Sequence, residues 1–311
     1  MANLQSMTNI NGEITKTEDA RIPVLDRGFL YGDSVYEVFR TYDGVPMLYE
    51  EHWTRLENSA GLIQMDVSGS RALIAEQIRR TVRATGADRL RQDVYVRYII
   101  TRGAGAIDLY PDPELLTRYV IIVKEAPTWN RDFYSRGMRI AIPATRRNPL
   151  NALNPNIKGG NYLNNVMGVI EARRRHDADD CVMLNDEGLV TEASNSNVFF
   201  VIDGDLVTPA QTAGNLRGLT KAAVRTACQQ NGLASVERDI AAHELPRATE
   251  CFVTSATREV MPVVSLRLED GKLVEFPPGG GEITRRVVAS YKGYIANHVR
   301  DNASACMFEP G

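Results

Sequence analysis

Lysine is scarce in this chain. Only six of its 311 residues are lysines, Lys16, Lys124, Lys158, Lys221, Lys272 and Lys292, so most of its 36 basic side chains are arginines. Arg stays protonated, whereas Lys can give up its proton and act as a nucleophile, so few residues here are open to amine chemistry. Cysteine is equally sparse. Cys181, Cys228, Cys251 and Cys306 have no CxxC spacing; this argues against a zinc site, gives no disulfide framework and fits a reduced, cytoplasmic setting. No apolar run approaches the ~20 residues of a membrane span, and Met1-Ala2-Asn3-Leu4-Gln5 lacks a basic n-region followed by an apolar stretch, so neither export nor membrane insertion is expected. Neither sign of charge dominates: 36 basic side chains face 39 acidic ones. No nucleic-acid partner is expected, and the short runs Arg146-Arg147 and Arg173-Arg174-Arg175 are predicted to be solvated faces.

What remains is ordinary soluble-globular material, 43% hydrophobic and 24% charged, in a chain long enough for two domains and a large core. Residues 28–48 alternate and carry Tyr42-Asp43-Gly44, which predicts two strands joined by a hairpin. Residues 50–63 and 70–85 show helical spacing, with strands at 94–101 and 118–124. Pro127 to Asp132 has the Pro and polar content of a connection, and the pattern then restarts with a strand at 138–142. The predicted division is a small N-terminal domain, 1–126, an interdomain loop, 127–136, and a large C-terminal domain, 137–311. The second part carries helices near 162–175, 220–231 and 283–298, and strands near 181–184 and 197–202. Pro277-Pro278-Gly279-Gly280-Gly281 lacks the Lys-Ser/Thr or the GxGxxG context of a nucleotide loop and reads as a connector. The fold class is α/β in two domains.

Lys158 lies in Asn156-Ile157-Lys158-Gly159-Gly160-Asn161-Tyr162, at the mouth of a predicted helix. A lysine there can anchor an aldehyde cofactor through a Schiff base. Five further motifs occur in order with it: Arg27 to Glu37, Glu51-His52-Trp53-Thr54-Arg55-Leu56, Glu192-Ala193-Ser194-Asn195-Ser196-Asn197, Gly218-Leu219-Thr220, and Thr254-Ser255-Ala256-Thr257. Together they resemble the class IV, fold-type-IV family of pyridoxal-phosphate transaminases, which contains the branched-chain and D-amino acid aminotransferases. Six ordered motifs over roughly residues 20 to 265 are far more specific than any one short pattern.

The resemblance implies a pyridoxal 5'-phosphate enzyme of that fold, with the cofactor at the domain interface, working by a ping-pong aldimine mechanism. It implies Lys158 as Schiff-base residue and general acid-base, Glu192 beside the pyridine nitrogen, and Tyr162 on the cofactor phenolate, with Ser194 and Asn195 in the same cofactor-binding pattern. Arg55, the backbone of Leu219 and Thr220, and Thr257 would hold the phosphate, since a helix N-terminus and a guanidinium are suited to an anion. In Tyr95-Val96-Arg97, which resembles an element of the branched-chain enzymes, Tyr95 and the Thr257-Arg258 turn would meet the α-carboxylate and Arg97 the distal carboxylate of glutamate. Tyr31, Tyr36 and Trp129 would wall the apolar side-chain pocket. Thr101-Arg102-Gly103 is instead similar to D-amino acid and R-amine transaminases, and Gly105 to Tyr110 resembles a loop that closes a neighbouring subunit's site. No metal is implied. The expected activity is amino transfer between branched-chain or related aliphatic L-amino acids and 2-oxoglutarate, in a homodimer or higher homo-oligomer. A D-amino acid or R-selective amine transaminase, or an aminodeoxychorismate lyase, stays open on the same scaffold.

Overall fold

The computed structural model describes residues 4–129 and 131–308. Met1 to Asn3, Asn130 of the predicted connection, and Glu309 to Gly311 lie outside them. The chain divides into two compact units: Met1–Pro127 with Ile157–Asn161 and Asn297–Gly311, and Thr128–Asn156 with Tyr162–Ala296. The short segment bearing Lys158 therefore belongs to the first unit, although it lies in the second half of the sequence.

The first unit opens with a hairpin, β1 (Met7–Ile10) and β2 (Glu13–Lys16). Its turn is Asn11-Gly12, with φ of 50° and 97°, the two positive angles a two-residue hairpin needs. A short helix α1 (Arg27–Tyr31) follows, capped by the Asp26 carboxylate accepting from the Gly28 amide at 2.8 Å and closed by Gly32 at φ 68°. The strand predicted from Gly28 is thus corrected: a helical turn takes its first residues, and β3 spans Ser34–Tyr42 before turning at Asp43-Gly44 into β4 (Val45–Pro46). Helices α2 (Tyr49–Leu62), α3 (Ser70–Thr85) and α4 (Ala87–Leu90) precede β5 (Val94–Thr101) and β6 (Arg118–Glu125). The strands form an antiparallel sheet in the order β2-β1-β6-β5-β3-β4.

Because side chains alternate along a strand, each strand of this sheet has two different faces. Val35, Phe39, Val94, Val96, Tyr98 and Ile100 pack in one core with Trp53 and Leu56 of α2 and Ile74, Ile78 and Val82 of α3. Trp53 stacks on Tyr98 with ring centres 6.2 Å apart. The residues between them, Tyr36 and Val38 of β3 and Tyr95, Arg97 and Ile99 of β5, stand on the opposite face, where Val38 pairs with Arg97 in register.

The second unit contains α5 (Arg131–Ser135), β7 (Met138–Ala141), α6 (Leu163–His176), β8 (Asp180–Leu184), β9 (Val190–Ala193), β10 (Asn197–Ile202) and β11 (Asp205–Pro209). It continues with α7 (Leu219–Gln230), β12 (Val236–Arg238), β13 (Ala248–Ser255), β14 (Glu259–Arg267), β15 (Leu273–Glu275) and α8 (Glu282–Asp301), whose last turn falls in the first unit. The sheet order is β12-β11-β10-β13-β14-β7-β8-β9, with β15 also paired to β14. β14, β7 and β8 run parallel. Strands β8, β9 and β10 are buried along their whole length; β8 and β10 therefore read as near-continuous apolar runs and not as alternation, whereas β9 buries the polar Thr191 and Glu192. Val182, Val198, Phe200, Val253, Met261 and Val263 centre this core. Among the described residues no helix is long and apolar enough to cross a membrane.

Candidate active site

In the first unit Lys158 is held by its backbone. Its carbonyl accepts from the Tyr36 amide at 2.9 Å and the Gly160 amide donates to the Ser34 carbonyl at 3.1 Å, so the segment lies along β3 as a bridge, Val35 opposite Gly159. The Lys158 amide donates to Ser59 Oγ of α2 at 3.2 Å, and Asn161 Nδ2 donates to the Gly32 carbonyl at 3.2 Å. Gly160 permits this approach: a Cβ there would stand 2.6 Å from Ser34 Oγ, far inside van der Waals contact. The Lys158 side chain then lies on the Tyr36 face, with Nζ 3.5 Å from the Tyr36 hydroxyl.

Arg55 lies beneath, on α2. Its Nε and Nη2 donate to the two oxygens of Glu37 at 2.6 and 2.7 Å, a bidentate pair. Glu37 is fully buried, and Oε2 also receives Nδ1 of His52 at 2.6 Å. Burial alone would raise the Glu37 pKa, but the charges of Arg55 and His52 prevail and hold it well below the carboxylate range. Burial pushes the His52 pKa down against the pull of Glu37. An ionised carboxylate is acceptor-only, so Nδ1 carries the hydrogen. Glu37 and His52 lie within the motifs, but the resemblance gives them no role in the site. The available signal was a carboxylate in the otherwise core-facing series Val35, Glu37, Phe39.

Arg97 places its guanidinium 3.8 Å from the Tyr36 ring centre, on the same face as Lys158. Tyr95 neighbours it; burial raises the Tyr95 pKa, with Arg97 pulling the other way. Tyr31, on α1, is half-buried under the Arg27 guanidinium at 4.9 Å. Arg102 spends its donors on structure: Nε meets Asp33 at 2.7 Å, and Nη1 and Nη2 meet the carbonyls of Gln64 and Ile63 at 3.1 and 2.7 Å. Arg27 joins the same Asp33 at 2.9 Å and reaches the carbonyls of Asp108 and Leu109, anchoring the loop predicted at Gly105 to Tyr110.

In the second unit Glu192 is nearly buried. One carboxylate oxygen meets Arg147 Nε at 3.1 Å and the other accepts from the Leu216 amide at 3.1 Å. Arg147 is therefore no solvated residue, contrary to the reading of Arg146-Arg147, whereas Arg173, Arg174 and Arg175 are exposed as predicted. A short basic run cannot reveal which of its members turns inward. Tyr162 precedes α6 as its N-cap and is half-buried. The Ser194 carbonyl accepts from Asn165 Nδ2 at 2.7 Å, and Asn195 is exposed, accepting from the Ser196 hydroxyl at 3.2 Å. Helix α7 starts at Leu219 after Gly218, and no side chain caps it. Only glycine fits at 218, since a Cβ would run into the Asn197 side chain.

The turn from β13 to β14 is braced from several sides. Trp129 Nε1 donates to the Thr257 carbonyl at 2.8 Å, and the Tyr134 hydroxyl donates to the Arg258 carbonyl at 3.2 Å. The Arg258 side chain is buried and donates to Asp180 at 2.7 Å and Ser196 at 2.8 Å, 5.2 Å from the Trp129 ring. Trp129 also packs on the second unit's core. Asp180 lies in none of the motifs, and Ser196 carries no role of its own within Glu192 to Asn197, since what they hold is fixed only by the fold.

Each unit taken by itself holds groups that suit a part of pyridoxal phosphate. Lys158 Nζ stands 3.5 Å from the Tyr36 hydroxyl, unlike Lys221, whose ammonium is tied to Glu237 at 2.8 Å and the Pro209 carbonyl at 2.7 Å. A 12-residue helix with uncapped amides at Leu219 and Thr220 suits a phosphate, and a fixed carboxylate at Glu192 suits a protonated ring nitrogen.

The sequence profile of the amino-transferase class IV family matches residues 34–266. A Methanocaldococcus jannaschii protein that carries the provisional name branched-chain-amino-acid aminotransferase is 33% identical over 91% of this chain and 94% of its own. The D-alanine aminotransferase of Bacillus licheniformis is 30% identical over 92% and 95%. Among solved structures, the T.th. branched-chain amino acid aminotransferase complexed with N-(5'-phosphopyridoxyl)-L-glutamate superposes with a TM-score of 0.82 at 26% identity, covering 97% of this chain and 98% of that one.

Proposed function

The chain belongs to the class IV aminotransferases, pyridoxal-phosphate-dependent enzymes, and from that premise we propose that it moves an amino group between branched-chain or related aliphatic L-amino acids and 2-oxoglutarate. The observation that supports this most is the placement of Arg97 and Lys158 against one ring, that of Tyr36, at 3.8 and 4.6 Å from its centre. A cation fixed beside the reactive amine suits an acceptor with a second carboxylate. Arg102, the candidate for the D-amino acid and R-amine reading, has its donors engaged by Asp33, Ile63 and Gln64.

When bound, the cofactor supplies the electron sink that lets the α-hydrogen leave as a proton. Lys158 would carry the cofactor and move that proton. Glu192, oriented by Arg147 and the Leu216 amide, would keep the ring nitrogen protonated, Tyr162 would meet the phenolate, and Ser194 and Asn195 would complete the same cofactor-binding pattern. Arg55, aligned by Glu37, would join the amides of Leu219 and Thr220 and the Thr257 hydroxyl on the phosphate. Tyr95 and the Thr257-Arg258 turn would take the α-carboxylate, while Tyr31, Tyr36 and Trp129 would border the aliphatic side chain. Exposed Ile107, Leu109 and Tyr110, at 76, 81 and 74%, suit burial against a second copy, and the scattered thiols suit the cytoplasm.

The likeness to a D-alanine aminotransferase supports the same chemistry on D-amino acids as a second reading. Half-reactions of the purified protein with L-leucine, D-alanine and R-1-phenylethylamine separate the two. We expect the cofactor's visible band to be lost fastest with L-leucine; conversion by D-alanine or the R-amine alone would overturn the proposal.

A further inference from the structure

Tyr36 meets Lys158 in two ways. Nζ lies 3.5 Å from the phenol oxygen and 4.6 Å from the ring centre. The pair is not loosely juxtaposed, because the Tyr36 amide also bonds the Lys158 carbonyl at 2.9 Å and the Tyr36 side chain is almost wholly buried. A cation over an aromatic face is attracted by the ring quadrupole, and a charged donor bonds a hydroxyl oxygen more strongly than a neutral amine does. Both contacts place the Tyr36 hydroxyl and ring where an N–H of Lys158 Nζ is received.

We propose that Tyr36 is a catalytic residue that holds the proton on Lys158 during amino transfer. The proposal rests on the reading of Lys158 as proton carrier and goes beyond a role for Tyr36 as a pocket wall. The α C–H bond would break with its electron pair left to the substrate carbon, for which the bound cofactor would supply the electron sink, and the proton would form a new N–H bond at Nζ. The Tyr36 oxygen accepts that N–H until the proton is handed on to carbon. Arg97 shares the ring at 3.8 Å and repels a second cation, so the hydroxyl supplies the larger part of the effect.

The test compares wild type, Tyr36→Phe and Arg97→Met as full-length enzymes carrying the cofactor in its amino form, in which Lys158 is free. Acylation by acetic anhydride at fixed pH, read by mass spectrometry as the ratio of Lys158 to exposed Lys16, reports the fraction of free amine without turnover. Tyr36→Phe should raise the ratio about tenfold, and Arg97→Met should lower it. In separate single-turnover reactions of L-leucine with the enzymes carrying the cofactor in its aldehyde form, Tyr36→Phe should slow α-proton removal by up to about tenfold, with a larger isotope effect from α-deuterated substrate. An unchanged or reduced acylation ratio in Tyr36→Phe, or an unchanged isotope effect, would overturn the role of Tyr36. Failure of the underlying reading shows separately, as borohydride-fixed cofactor on a lysine other than Lys158 in the wild type.

Discussion

Glu192 meets a guanidinium on one oxygen and a backbone amide on the other, so replacing it by Gln preserves its shape and one of these two contacts while removing its charge. Glu192→Gln should therefore keep the fold and cofactor content, read by melting and absorbance, yet lose electron-sink strength. We expect turnover to fall by about tenfold to a hundredfold or more, the worth of a buried charged hydrogen bond. Near-wild-type turnover would remove Glu192 from the ring nitrogen. Arg97→Met tests recognition of the distal carboxylate. The half-reaction with L-glutamate should weaken by roughly tenfold to a hundredfold while that with L-leucine changes little, and equal losses would assign Arg97 to the α-carboxylate or to structure.

Helix α2 and strand β3 bring Arg55, Glu37 and the Lys158 anchor Ser59 together through packing, and their contacts are what sequence reasoning could not see. The elements themselves were largely legible: α3 at 70–85, β5 at 94–101 and β10 at 197–202 lie where apolar spacing predicts them. The β1–β2 hairpin escaped notice although Asn11-Gly12 is a strong turn signal, because its strands are only four residues each. The α1 turn was misread as strand because Asp26 capping and Gly32 closure outweigh alternation over so short a stretch. Site residues named by motif were legible as residues; their holders, Glu37 for Arg55, Arg147 for Glu192 and Asp180 for Arg258, depend on strand register and loop paths that no local pattern encodes. At this scale Gly160→Ala should force the Lys158 segment away from Ser34. We expect a loss of about 1–3 kcal/mol, seen as a lower thermal midpoint together with reduced cofactor content; wild-type values for both would show that the approach to β3 is not required.

Across the molecule, buried charges set the response to acid. Glu37, and Asp33 between Arg27 and Arg102, titrate lower in the folded protein than in the unfolded chain, because their arginine partners outweigh the cost of burial. His52 also titrates lower, because of its burial. In each case the unfolded chain binds protons first, so the stabilisation is complete above the unfolded pKa, about 6.5 for His and about 4 for the carboxylates, and is lost as pH falls below it. Calorimetry should show the midpoint falling from pH 7 towards pH 4, and a flat profile would contradict this assignment. The central claim is that Lys158 carries the cofactor. Borohydride reduction of the holoenzyme followed by peptide mapping tests it most directly: the account predicts the reduced cofactor on the peptide containing Lys158, with Lys158→Ala unlabelled and inactive, and label on any other lysine would contradict it.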